Sequence, residues 1–235
     1  MAPEPDRSVQ AQAAERGAAL ALLPIAATLD YYILPASLQE QVLVQFAPQI
    51  IAYLACALWA AHNPGFISRF GLENRKLYIG LRWGLLTGLA LGCLNSLIIL
   101  ELLPFLGYDV TFLKRTPHAQ LPVFVMVPWV ICAVALFVEF NFRGFLLGRL
   151  LAMGKAAVGI GRPQAASVLA IGISALTFSF DPFMTQTFRD LHWIALWDGI
   201  IWGAIWVTMR NLYIPIVAHA VEVIVMYSVV RSALL

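Results

Sequence analysis

Apolar and polar stretches alternate along the chain so that seven long apolar segments stand out, at 17–36, 42–61, 77–103, 121–150, 164–181, 193–209 and 212–232. A helix needs about 20 apolar residues to cross the hydrocarbon layer of a membrane. The pattern predicts an all-α fold, a polytopic membrane helix bundle with about seven transmembrane helices. Residues 1–16 are polar, carry Pro3, Pro5 and mixed charges, and are expected to be a cytoplasmic N-terminal tail. Acidic residues in that leader and the lack of a small-x-small site after the apolar stretch argue against a cleaved signal peptide. No low-complexity stretch or convincing repeat divides the rest. The N-terminal transmembrane helices, 17–120, and the helical core, 121–235, are therefore expected to form a single integrated membrane domain.

Within the segments, small and polar residues mark packing and edges. Gly80, Gly84, Gly88 and Gly92 recur every fourth position of the third segment, and Gly144/Gly148 and Gly199/Gly203 repeat the spacing later. Glycines in that register let another helix approach closely, which is how membrane helices gain van der Waals contact. Asp30, Tyr31 and Tyr32 close the first segment in a pattern that fits an interfacial belt. The connection 104–120 is the longest, and His118 within it is expected to be solvated. With seven spans, one side receives nine Lys and Arg (Arg7, Arg16, Arg69, Arg75, Lys76, Arg149, Lys155, Arg162 and Arg210) and the other four (Lys114, Arg115, Arg189 and Arg231). The positive-inside rule then places the N-terminus in the cytoplasm.

Composition agrees with the membrane reading and removes other classes. Of 235 residues, 61% are apolar and 12% charged, and mean hydropathy is +0.81, too hydrophobic for a soluble domain. A net charge of +2 without a basic, aromatic-interleaved run leaves no footprint for nucleic acid. Cys56, Cys93 and Cys132 lie singly in apolar runs and read as packing residues. There is no Gly-rich phosphate loop, HExxH helix or GxSxG elbow, and no cofactor or metal is expected.

Ionisable residues inside the apolar segments carry the candidate chemistry. A charge at mid-bilayer costs about 2.5–3.5 kcal/mol or more unless it faces protein or a water-filled cavity, so such a residue marks a functional site with a named partner by default. Glu139 and Arg143 are four apart in the fourth segment, with the acid N-terminal to the base, the better orientation for a helical pair. The competing reading is a structural Glu–Arg clip. Asp181-Pro182 ends the fifth segment, Asp190, His192 and Asp198 flank the start of the sixth, and His219 and Glu222 are three apart in the seventh. If these helices pack together, Glu139, Asp181, His219 and Glu222 converge on one polar pocket. There a buried carboxylate is able to act as general base on water and an imidazole to stabilise an oxyanion. Zinc binding by the same groups is the other chemical reading, weakened because only one histidine lies deep in a span.

Three stretches resemble the motif regions of the CPBP family: Glu-Phe-Asn-Phe-Arg-Gly-Phe-Leu-Leu (139–147), Ser-Ala-Leu-Thr-Phe-Ser-Phe (174–180) and Arg-Asn-Leu-Tyr-Ile-Pro-Ile-Val-Ala-His-Ala (210–220). That family contains CAAX prenyl endopeptidases and bacteriocin-processing or self-immunity membrane proteins. The resemblance covers about 121–227, making the helical core CPBP-like. It implies a glutamate-dependent intramembrane endopeptidase of the bacterial inner membrane, acting on a membrane-tethered peptide or protein amid membrane lipid. The family motifs read Glu-Glu-x-x-x-Arg, Phe-x-x-x-His and His-x-x-x-Asn/Asp. Carried over, Glu139 takes the second glutamate, Arg143 the arginine, Phe178 the phenylalanine and His219 the last motif's histidine. Val138, Pro182 and Val223 stand at three expected catalytic positions, each with an acid beside it: Glu139, Asp181 and Glu222. The resemblance thus implies catalysis by Glu139, Arg143 and His219, with Asp181 and Glu222 as further candidates. Its alternative is a catalytically degenerate relative, serving as an accessory subunit or a lipid- or peptide-binding scaffold of a membrane complex.

Overall fold

The computed structural model describes residues 15–158 and 163–234, and each of the seven apolar segments forms a helix there. In chain order these are α1 (Ala18–Ile33), α2 (Val42–His62), α3 (Leu77–Leu97, continued by Ile98–Leu102 and Leu103–Phe105), α4 (Val123–Ala156), α5 (Gln164–Ser179), α6 (Pro182–Leu191), α7 (Ile194–Met209) and α8 (Tyr213–Leu234). The described residues contain no strand. Among the described residues, four helices, α2, the one containing α3, α4 and α8, are long and apolar enough to cross a membrane alone. A fifth span arises if α5 and α6, bent by 53° at their break, are taken together, whereas α1 and α7 are shorter apolar helices. The expected seven is therefore a count of apolar helices and not of established spans. Hydropathy registers composition but not the turns that cut helices short.

The glycine register of α3 does what its spacing predicts. A Cβ added at Gly84 would meet Val217 Cβ at 2.6 Å, at Gly88 the Ala218 carbonyl oxygen at 2.6 Å, and at Gly92 Val225 Cβ at 2.8 Å. These are closer than real side-chain contacts allow, so only glycine lets the backbones of α3 and α8 run together along their whole length. On the other side of the bundle Gly199 of α7 abuts Ala175 of α5, where an added Cβ would lie 3.0 Å from its Cα. Between these pairs runs α4, whose residues 141–150 are all buried. Two stretches of α4 are π-helical, Met126–Ile131 and Phe140–Leu147, a widening frequent at functional sites.

The chain turns from α7 to α8 in three residues, Arg210 to Leu212. Arg210 adopts a left-handed conformation with φ 48°. Lys76 Nζ donates to its carbonyl at 2.8 Å, and Asn211 donates to the Lys76 carbonyl at 2.9 Å. Basic residues near this end also gather the chain ahead of α1: Glu15 pairs with Arg149 and, at 3.6 Å, with Arg69, and accepts from Trp59 Nε1 at 3.0 Å. Residues 1–14 of the expected tail lie outside the described residues, but Glu15 and Arg16 are docked on the bundle, Arg16 through Asn63.

Tyr31 donates to the Gln39 carbonyl at 3.0 Å, while Tyr32 donates to the Phe180 carbonyl at 2.7 Å. Tyr31 is thus buried within the bundle, whereas Tyr32 stays exposed while it anchors α1. The expectation of a solvated His118 is corrected: its ring packs 5.4 Å from that of Phe188, and its Nδ1 is buried. Short helical turns at Thr111–Arg115 and Pro117–Gln120 fold the 104–120 connection inward, and Arg231 Nη1 holds it to α8 by donating to the Ala119 carbonyl at 2.9 Å.

Candidate active site

At the N-terminal edge of the second π-helical stretch, Arg143 Nη1 donates to Glu139 Oε1 at 3.0 Å. Both side chains are buried, at 1% and 0% exposure. From α8, His219 Nδ1 meets the same Glu139 oxygen at 2.9 Å. The guanidinium lies between two aromatic faces, 4.7 Å from the Phe178 ring centroid and 5.1 Å from that of Trp202. Trp202 also stacks on the His219 ring with centroids 4.8 Å apart. Cation–π contact and a shared carboxylate together replace the water that three polar groups lose on burial. Glu139 Oε2 and Arg143 Nη2 meet no hydrogen-bond partner among the described residues.

A second polar cluster joins three helices. Asn95 Nδ2 of α3 donates to Glu222 Oε1 at 2.6 Å and lies 3.3 Å from each oxygen of Asp198 on α7. Trp197 Nε1 donates to Asn95 Oδ1 at 3.1 Å and so fixes which way the amide points. The Asn95, Asp198 and Glu222 side chains are all buried. In the sequence Asp198 stands out only as a polar residue near the start of a segment, and Asn95 does not stand out. The one available signal was an amide one turn beyond Gly92 on the glycine face.

Asp181 belongs to neither cluster. It caps α6 by accepting from the Phe183 amide at 3.0 Å, with Pro182 at the first helical position, the arrangement such a sequence favours. Its carboxylate also accepts from Gln49 Nε2 of α2 at 2.8 Å. The expected single pocket is thus three separate polar groups: Glu139–Arg143–His219, Asn95–Asp198–Glu222, and Asp181 with Gln49.

What unites them is a cavity of about 830 Å³ that runs inward from the 114–119 connection and the end of α8. His219, Asp181, Asp198 and Glu222 line it, while Glu139 and Arg143 stand behind its wall. With Nδ1 committed to Glu139, Nε2 is the ring nitrogen of His219 left for a molecule in the cavity. Glu222 Oε2, Asn141 Oδ1 and Trp202 Nε1 also belong to cavity-lining residues and are without a partner among the described residues. Nearer the mouth, burial holds the His118 imidazole below the ordinary histidine range. Among the described residues no group of three or more His, Cys, Asp or Glu is placed to hold a metal ion.

An imidazole backed by a buried carboxylate and arginine, opening on a cavity within a helical membrane bundle, matches the motif order read along the chain. Residues 120–225 match the family model of Rce1-like, type II CAAX prenyl endopeptidases. No curated protein and no solved structure matches the chain. The Rce1-like stretch takes in α4 to α7 and the first half of α8, and bears out the CPBP resemblance there. It contains Glu139, Arg143, Asp181, His219 and Glu222 but excludes Asn95. Within it, two of the three substituted motif positions, Val138 and Val223, lie on the cavity wall, and the third, Pro182, begins α6.

Proposed function

We propose that this CAAX-protease-type membrane protein is an intramembrane endopeptidase that cuts a membrane-tethered peptide, or the C-terminal segment of a membrane protein, within the cavity. The observation that carries the reading is the Glu139–His219 hydrogen bond of 2.9 Å. It fixes the ring and leaves Nε2 for a carbonyl or a water, the role that a carboxylate-oriented imidazole plays in acyl transfer. In this reading His219 meets the scissile group, whereas Glu139, set behind the wall, acts through it as a positioning residue, held in turn by Arg143. Dependence on glutamate is retained, but direct activation of water by Glu139 is not, because Val138 takes the cavity-facing place. The apolar length of the cavity suits the lipid-like part of such a substrate. The same proposal places the chain in a bacterial cytoplasmic membrane with α1 starting on the cytoplasmic side, a reading supported by nine basic residues against four.

The second reading, a non-catalytic scaffold or accessory subunit, rests on the apolar residues at Val138 and Val223. One experiment separates the two. Wild type and Glu139→Gln are purified in mild detergent, and whatever co-purifies is identified by mass spectrometry. The peptidase reading expects the variant to retain a peptide or protein that wild type releases in cleaved form. Equal retention of an uncleaved partner by both overturns it in favour of the scaffold.

A further inference from the structure

The family's water-activating position is Val138, and no carboxylate from α4 reaches the cavity wall in its place. Two carboxylates from other helices do. Asp198 of α7 and Glu222 of α8 both line the cavity and share one donor, the Asn95 amide, at 2.6 Å to Glu222 Oε1 and 3.3 Å to each oxygen of Asp198. We propose that Asp198 and Glu222 form a catalytic carboxyl dyad, the acid–base pair of the peptidase, with Asn95 as the shared donor that sets their geometry. The proposal rests on the peptidase reading and supplies the water-activating group which that reading lacks.

Independent features of the wall point the same way. Glu222 Oε2 has no partner among the described residues, although Glu222 is only 2% exposed. Two cavity-lining groups outside the cluster are in the same condition, Trp202 Nε1 and Asn141 Oδ1. Buried polar atoms are almost always paired, so three unpaired ones in residues of a single cavity wall set this region apart from an ordinary core.

The chemistry balances without a cofactor. With one proton on the dyad, the ionised carboxyl takes a proton from water as the water oxygen bonds to the peptide carbonyl carbon. The protonated carboxyl gives its proton to the carbonyl oxygen, producing a neutral gem-diol. Collapse breaks the C–N bond; the nitrogen takes the proton that came from water, and a gem-diol hydroxyl returns its proton to the other carboxyl. The products are a carboxylic acid and an amine, and the dyad again holds one proton. Two adjacent carboxyls that share a proton are a known solution to hydrolysis at neutral cost in net charge.

The test uses the full chain in lipid nanodiscs and two readouts. The probe is a lipid-anchored peptide with a photoreactive group and a hydroxyethylene unit in place of one amide, a mimic of the gem-diol. Wild type is expected to be labelled, with competition by the unlabelled mimic, and Asp198→Asn and Glu222→Gln to be labelled only at background. Absence of competed labelling in wild type, a result that depends on no variant folding, overturns the dyad, as does equal labelling of the variants. The second readout is cleavage of a membrane-tethered reporter peptide, expected to fall about 10²–10⁴-fold in either variant, the range for loss of general acid–base catalysis. Wild-type cleavage that persists in both variants overturns the dyad and leaves the peptidase reading intact. Labelling of wild type without any product overturns both, leaving a binding site.

Discussion

Glu139 and His219, 80 residues apart in the chain, share a 2.9 Å hydrogen bond at a point where neither is reached by bulk solvent. Arg143 bonds to the same carboxylate oxygen, so one acidic side chain organises a cation and an imidazole from two helices. The energetic consequence is asymmetric. Removing Arg143 leaves the buried carboxylate without its guanidinium, which costs far more than the pair contributes when whole.

Arg143→Met is therefore expected to lower stability by about 3–5 kcal/mol, the cost of removing the cation from a buried ion pair. Replacing Glu139 and Arg143 together with leucine is expected to recover much of that loss. Tryptophan-fluorescence unfolding of detergent-purified protein reads both, and a double variant no better than the single one would show that packing, not charge, dominates.

The glycine seam makes a local prediction with a built-in control. Gly88→Ala is expected to destabilise by about 1–3 kcal/mol through overpacking, because the new methyl would lie 2.6 Å from the Ala218 carbonyl oxygen. Gly172→Ala on α5 meets nothing within 4 Å and is expected to be neutral or stabilising by up to about 1 kcal/mol from helix propensity. Comparing the two thermal midpoints checks the seam, and equal midpoints would contradict it.

Asp181 serves the helix break, so its substitutions should separate by cap chemistry. Asp181→Asn retains a capping oxygen and is expected to change stability little. Asp181→Ala is expected to cost about 0.5–2 kcal/mol for the cap, with a further loss from the Gln49 amide left unpaired on the cavity side. Unfolding midpoints of the two variants decide this, and identical values would remove the cap from the account.

His118 predicts a pH dependence. Its folded-state pKa is lowered by burial, so on acidification the unfolded chain takes up a proton near pH about 6.5 while the folded ring remains neutral. Stability is expected to be constant above that pH and to fall as pH drops through it, until the folded ring also protonates. Thermal midpoints recorded from about pH 8 to about pH 5 should show the decline in wild type and a flatter profile in His118→Gln. Parallel profiles would assign the effect to another group.

Local pattern carried much of this architecture. Apolar run length located seven of the eight helices and missed α6, the four-residue glycine period gave the α3–α8 seam, and the i, i+4 spacing of Glu139 and Arg143 gave their ion pair. Long-range partners were another matter. Nothing near Asn95 indicates that it will face Asp198 and Glu222, 103 and 127 residues further on. That meeting depends on how α3, α7 and α8 cross. The division into three polar groups was hidden for the same reason: composition says which residues need partners, and only packing says which partners they find. Run length alone does not fix the number of spans, because α1 and α7 are apolar yet short.

Asn95 has one more implication. The stretch that matches a family ends at residue 225 and begins at 120, yet the amide that bridges its two cavity carboxyls arrives from a helix outside that stretch. Homology and architecture therefore draw different boundaries around this centre. A transplant of the matched segment alone would carry both cavity carboxyls without the amide that bonds them.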